Sequence, residues 1–413
     1  MRGFINKDYN FVGWSKLASK QRNKIKKIGK SVIGSNEFKL NIEKLVGHKF
    51  FKVDNIEILR SNKYAMSKRL ELINNANKEI NLLTWGFYDD ETGQAFADAL
   101  INVKKRGVEV RVVVDARTSS RSGFDKELKK LEESEVKVIY WKGVENSYYG
   151  MHSKLLVVDD FYSIEGGRNI GKHYLKNEQW EDLDVFYQGQ VSARKNLNLF
   201  SGLWNNQVSS QKLNFKNIKT IKTLNPGSKG IADYGSILSR PSEKELNIIS
   251  DLQIYAINNA QKEIKIVNAY VILTKEIQEA LEGAIKRGVK VKVLSNSLSS
   301  VDEPIVIVPI QKSLMHLFKL GAEVYLKEGK TLHTKALVAD SFSLVTSYNL
   351  HPRSALYEVE KAFYSLNPRF NKNLKAQFNK SFREASRVES KADFNFTPNP
   401  SLDYLHELIF NQL

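Results

Sequence analysis

The sequence predicts an α/β protein of two related domains, each a mixed sheet flanked by helices, joined about a pseudo-twofold axis with one site at their interface. Three observations carry that prediction. His152-Ser153-Lys154 followed by Asp159 returns as His333-Thr334-Lys335 followed by Asp340, displaced by 181 positions (333 − 152). Lys105-Arg106-Gly107-Val108 returns as Lys286-Arg287-Gly288-Val289 at the same displacement (287 − 106). The segment Ile73-Asn74-Asn75-Ala76-Asn77-Lys78-Glu79-Ile80 returns at 257–264, displaced by 184 (257 − 73), so the second copy has lost residues between the landmarks. A long period with small indels means two domains, not a short solenoid repeat. With 413 residues and 42% hydrophobic content, the chain is long and apolar enough to bury a core in each.

Periodicity places the elements in order. Residues 56–60 read as a strand, 64–77 as an amphipathic helix and 79–85 as a buried strand, after which Asp89-Asp90-Glu91-Thr92-Gly93 turns the chain into a helix. That helix runs through Lys105 and stops at Gly107, and the alternating Val108-Glu109-Val110-Arg111-Val112 continues as a strand to Asp115. A helix at 124–134, strands at 136–142, 152–158, 162–166 and 184–188, and a helix at 191–206 complete the first half. The second half repeats the order: helix 243–261, strand 264–270, helix 274–287, strand 289–295, helix 308–319, and strands at 322–327, 334–339 and 343–347. The expected boundaries are a basic arm at 1–45, a first domain at 46–207, a polar linker at 208–242, a second domain at 243–387 and a tail at 388–413.

A net charge of +17 points to an anionic partner: nucleic acid, an anionic membrane or a phosphorylated substrate. Much of the excess is early, in Lys16, Lys20, Arg22, Lys24, Lys26, Lys27 and Lys30, with Phe4, Tyr9, Phe11 and Trp14 just before. Rings beside ammonium groups suit a lipid headgroup region, and a solvated basic arm is the alternative. No apolar run approaches the roughly 18 residues of a membrane-spanning helix. The absence of cysteine excludes disulfides, thiolate metal sites and catalytic thiols.

On a strand, His152 and Lys154 project from one face while Leu155 and Val157 project into the core. Asp159 has the opposite parity, so it and Asp340 are expected to be structural. Asn169 follows the first copy within Gly166-Gly167-Arg168-Asn169, and Asn349 follows the second within Thr346-Ser347-Tyr348-Asn349. Two lysines and two asparagines meeting about one phosphate would neutralise it and donate to its oxygens, with Gly167 and Ser347 completing the oxygen-binding ring. Two histidines would then face phosphorus from opposite sides, one attacking and the other moving the proton. An acid must orient the attacking ring, and Asp182 or Asp184, with Glu358 or Glu360, are the candidates. A metal is not expected, because lysine is a poor ligand and each copy offers one good one.

The doubled His-x-Lys-x4-Asp pattern resembles the phospholipase D superfamily, and most closely its bacterial cardiolipin synthase branch lacking N-terminal membrane helices. Phe87-Tyr88-Asp89-Asp90-Glu91-Thr92-Gly93, Gly166-Gly167-Arg168-Asn169-Ile170, Asp182-Leu183-Asp184-Val185, Ser295-Asn296-Ser297-Leu298-Ser299-Ser300-Val301-Asp302 and Pro352-Arg353-Ser354-Ala355 carry the narrower resemblance. It spans residues 45–387. It implies two phospholipase D-like domains sharing one site, His152 as nucleophile, His333 as general acid and base, Asp182 and Glu360 as orienting carboxylates, and no cofactor. It also implies phosphatidyl transfer between phospholipids through a phosphohistidine. The sequence departs from the branch at Ala116, Thr346, His351 and Glu358, which puts the acceptor pocket in question.

The expected protein is therefore a phosphatidyltransferase held peripherally at an anionic membrane of a bacterial cell, its partner a phospholipid substrate. The alternatives are an exported phospholipase D that hydrolyses the same bond and a metal-independent nuclease. Nucleic acid is the disfavoured partner, because no stacking platform or DNA-reading module is evident. Oligomeric state is left open, a monomer included.

Overall fold

Strand alternation builds the first sheet. In Glu79–Thr84, Ile80 and Leu82 enter one apolar core while Leu83 enters another on the opposite face, as a strand covered on both sides requires. The computed structural model describes residues 11–143, 148–221, 231–240 and 245–394. From edge to edge the first sheet runs Asn55–Leu59, Asp184–Gln188, Tyr162–Gly166, Leu155–Val158, Glu79–Thr84, Glu109–Asp115 and Lys137–Trp141. The second runs Ile231–Ser239, Glu358–Ser365, Phe342–Thr346, Lys335–Ala339, Glu263–Asn268, Lys290–Asn296 and Glu323–Lys327, with Phe51–Val53 and Ala385–Arg387 added at its two edges. The sequence repeat is thus a repeat of strand order in space.

Helices Asn62–Asn74, Glu91–Lys105 and Lys126–Glu133 cover the outer face of the first sheet, and Gln190–Ser210 covers the inner one. Ile248–Asn259, Lys275–Lys286 and Ile307–Lys319 do the outer work in the second half, and Pro368–Arg383 the inner. Asp90 caps the helix expected after the turn at 89–93, accepting from Thr92 N and Gly93 N. Leu183, Val185 and Tyr187 of the first half pack with Val338, Val345 and Phe363 of the second, so an apolar core runs through the domain interface.

Two boundary expectations are corrected. Residues assigned to a free basic arm form helices α1 (Phe11–Ile28) and α2 (Asn36–Val46), which pack on the second domain. Phe38 stacks on Tyr255 at 5.4 Å, Lys24 pairs with Asp251 at 2.9 Å and Arg22 with Glu276 at 3.2 Å, so part of the basic charge is spent inside the molecule. Phe4 and Tyr9 lie outside the described residues. The expected linker also contains Ile231–Ser239, which pairs with Phe51–Val53 and Glu358–Ser365. This strand reads as polar because three of its buried positions, Gly235, Ser236 and Ser239, are small or hydroxylated. A Cβ on Gly235 would lie 2.0 Å from the Tyr364 ring, and Ser236 is buried against Glu165 and Asn196. Of the expected tail, Phe394 joins the second core, and 395–413 lie outside the described residues.

Candidate active site

Each histidine sits where its chain changes partners. Gly150–Met151 pairs in parallel with Glu358-Val359 of the other domain, and His152 N donates to Val359 O at 2.9 Å before Leu155–Val158 joins its own sheet. Thr331–Leu332 likewise pairs with Trp180-Glu181, and His333 N donates to Glu181 O at 2.7 Å. His152, Ser153 and Lys154 are consequently not on a regular strand, contrary to the parity expectation. The crossover places each histidine at the interface.

The orienting carboxylates are exchanged between domains. His333 Nδ1 lies 2.7 Å from Asp182, and His152 Nδ1 lies 3.1 Å from Glu360, with Glu358 farther off at 3.8 Å. Asp184, the alternative in the first pair, is instead held by Arg69 and Arg168, each at 2.9 Å. Glu358 is held by Arg353 at 3.0 Å and by Ser354 at 2.8 Å. A carboxylate on Nδ1 fixes the ring's orientation and turns Nε2 toward the cavity that both histidines line.

Lys154 and Lys335 are buried, each donating from Nζ to the carbonyl of its own histidine at 2.6 and 2.5 Å. Burial, only partly offset by Glu360, pushes Lys154 down to about 7; burial, partly offset by Asp182, pushes Lys335 down to about 8. Burial and the neighbouring lysine hold each histidine well below its ordinary value. A phosphate between them would favour the charged lysines, so anion binding takes up protons once pH exceeds the lower lysine value. Affinity for vanadate, a phosphate mimic, is therefore expected never to improve as pH rises, and to fall several-fold per pH unit between 8 and 9 as the lysines lose their protons. Inhibition constants measured from pH 6 to 9 check this; a constant that improves with pH contradicts it.

Asn169 and Asn349 both line the cavity, and Asn169 Nδ2 and Asn349 Oδ1 are buried without a hydrogen-bond partner. Asn169 is set by its Oδ1, which accepts from Gly86 N at 3.2 Å. Gly167 and Ser347 do not line it, which corrects their expected place in the oxygen-binding ring. A Cβ on Gly167 would lie 2.4 Å from Asp182 Oδ1, while Ser347 Oγ donates to Glu360. They are equivalent positions behind the two histidine–carboxylate pairs, one leaving room for its acid and the other bonding it. Gly167→Ala is therefore expected to lower turnover through displacement of Asp182, at nearly unchanged KM, in steady-state kinetics.

Asp159 and Asp340 sit away from the cavity. Asp159 accepts from Asn77 N, Lys78 N and Glu79 N at 2.8, 2.7 and 3.0 Å; Asp340 accepts from Gln261 N, Lys262 N and Glu263 N at 2.8, 2.9 and 3.0 Å. Both have left-handed backbones, φ 53° and 48°, which aspartate tolerates better than most residues. Each ties its hairpin to the start of the central strand. Asp159→Ala is expected to cost about 2 kcal/mol of stability, read as a denaturant midpoint.

The cavity, about 580 Å³, has aromatic walls that no repeated motif marks in the sequence. Trp180 stacks on His333 at 5.3 Å and Tyr174 meets it edge-on at 5.0 Å, while Trp85 meets His152 at 6.0 Å. Trp180 precedes Asp182 as Glu358 precedes Glu360, so the two-residue spacing was the available signal. Of the branch departures, His351 and Glu358 line the cavity, with His351 stacked on Tyr270. Thr346 instead bonds Lys361 O within the sheet. Among the described residues, His152, Glu358 and Glu360 alone bring three metal-type ligand atoms together, within 4.8 Å, but Arg353, Ser347 and Ser354 already engage those carboxylates.

Two α/β halves that share a cavity between paired His-Lys elements define a phospholipase D-superfamily enzyme, of the phosphatidyltransferase and phosphodiesterase type. The family described as "Cardiolipin synthase, PLD-like domain" matches residues 70–204 and 254–382, and the chain belongs to that family. The major cardiolipin synthase of Bacillus subtilis is 28% identical, over 77% of this chain and 67% of its own length. An uncharacterised Helicobacter pylori protein is 28% identical over 75% of this chain and 76% of its own. In fold, the chain is similar to the phosphatidylserine synthase of Haemophilus influenzae, at TM-score 0.74, 16% identity, and coverage of 92% of this chain and all of that one.

Proposed function

We propose that the protein is a phosphatidyltransferase of the cardiolipin synthase type, working peripherally at a bacterial membrane. The carrying observation is that each histidine faces one shared cavity while the opposite domain's carboxylate holds its Nδ1. His152 Nε2 attacks phosphorus of phosphatidylglycerol, the bond from phosphorus to the glycerol oxygen breaks, and His333, which takes up a proton when the anionic phosphodiester binds and Asp182 holds its Nδ1, gives that oxygen its proton. A hydroxyl of a second phosphatidylglycerol then loses its proton to His333 and attacks phosphorus, and the N–P bond breaks. His152 is released and cardiolipin is formed.

Asn169 and Asn349, which line the cavity, and Lys154 and Lys335, buried behind the two histidines, support this reading, since amide donors and nearby positive charge stabilise the charge that builds on the nonbridging oxygens. Family membership supports the lipid, and among the described residues no helix is long and apolar enough to cross a membrane. Phosphatidylglycerol vesicles in chelator are expected to yield cardiolipin and glycerol in equal amounts. Phosphatidic acid with glycerol as the sole products would replace transfer with hydrolysis, and no lipid product from any phospholipid donor would overturn the reading.

A further inference from the structure

The two halves carry equivalent loops at the cavity mouth, yet the loops have diverged in kind. After Glu109–Asp115 the first-half loop presents Arg117 and Arg121; after Lys290–Asn296 the second-half loop has Leu298 and Asp302 at the same positions (298 − 117 and 302 − 121, both 181). Arg117 and Arg121 line the mouth and are exposed, and Ile305 of the second loop lines it too. Large exposed hydrophobics are few among the described residues. Leu298 (59% exposed) and Ile305 (48%) are two of them, and both belong to this one loop. Scattered single apolar residues need no explanation, but two fall on this one short segment, and one of them lines the cavity.

We infer that residues 297–306 form a lipid-facing lip that seats the cavity mouth on an anionic bilayer, with Arg117 and Arg121 as the opposite, basic lip. This rests on the proposed phospholipid substrate and adds where the bilayer meets the protein. The chemistry favours that occupant. A phosphodiester inside a bilayer surface has anionic headgroups above and apolar glycerol-ester and acyl groups below, and the mouth offers cations on one side and branched aliphatics on the other. Two acids share this loop: Asp302 accepts from Tyr270 at 2.6 Å, and the exposed Glu303 is offset by Arg121 across the mouth. The lip lets a headgroup reach His152 and His333 while the acyl chains stay in the membrane.

The test uses the full chain with phosphatidylglycerol vesicles, and with a dibutyryl phosphatidylglycerol below its micelle concentration. Leu298→Asp is expected to lower vesicle turnover at least tenfold while changing turnover of the short-chain lipid less than twofold. Ile305→Asp is expected to lower the vesicle-bound fraction in sedimentation to a similar degree. Leu40→Asp, on α2 and 54% exposed, is the control expected to change neither. Arg121→Glu is expected to erase the preference for phosphatidylglycerol over phosphatidylcholine vesicles. Vesicle binding unchanged in both Leu298→Asp and Ile305→Asp, or lowered equally in Leu40→Asp, overturns the lip. A wild-type chain that binds vesicles through the lip yet turns over neither lipid leaves the lip standing and overturns the catalytic reading.

Discussion

His152→Ala is expected to abolish phosphatidyl transfer, lowering kcat by about 10⁴-fold or more, because it removes the imidazole that Glu360 orients into the cavity and on which the covalent intermediate forms. His333→Ala is expected to cost as much with phosphatidylglycerol, but for a different reason. It removes the proton donor while leaving the nucleophile, so a donor with an activated p-nitrophenol leaving group, which departs without a proton, restores the first step. A burst near one equivalent of p-nitrophenol from His333→Ala, and none from His152→Ala, separates the roles. The opposite pattern would exchange them.

Asp182→Asn and Glu360→Gln are expected to lower kcat by about 10³- to 10⁴-fold with little change in KM, the scale seen when an orienting carboxylate is neutralised beside a catalytic histidine. Each acid is buried and lies behind, not in, the cavity lining. Their effects should also be unequal. Glu360→Gln leaves Glu358 at 3.8 Å from His152 Nδ1, whereas among the described residues His333 Nδ1 has an ion-pair partner in Asp182 alone. The smaller loss should thus fall on Glu360→Gln. Steady-state kinetics with circular dichroism to verify folding decides it; KM rising while kcat holds would make these acids binding groups.

Much of this was legible because repetition is visible in one dimension. Paired landmarks gave the two halves, and alternation and capping gave most strands and helices between 56 and 347, but not Phe11–Ile28, Asn36–Val46, Ile231–Ser239, Glu358–Ser365 or Pro368–Arg383; the parity argument set Asp159 and Asp340 apart although residues 152–154 lie off the strand it assumed. What stayed hidden depends on contacts between halves. Sequence offsets put Asp182 and Glu360 at similar distances downstream of the two histidines, but only the crossover at Gly150–Met151 and Thr331–Leu332 hands each acid to the other domain's ring. Gly167 and Ser347 read as oxygen-binding groups because small and hydroxylated residues serve that purpose; they serve the carboxylates instead. Ile231–Ser239 escaped because a strand packed against Tyr364 and Glu165 needs glycine and serine where a hydrophobic pattern would show valine.

The central claim is a shared cavity in which His152 carries the phosphatidyl group between donor and acceptor. Quenching wild-type protein with base during turnover of short-chain phosphatidylglycerol, then mapping peptides by mass spectrometry, tests it most directly. A phosphatidyl adduct is expected on the His152 peptide, lost on adding acceptor alcohol as product forms. Product accumulating with no adduct, or with the adduct on another residue, would contradict it.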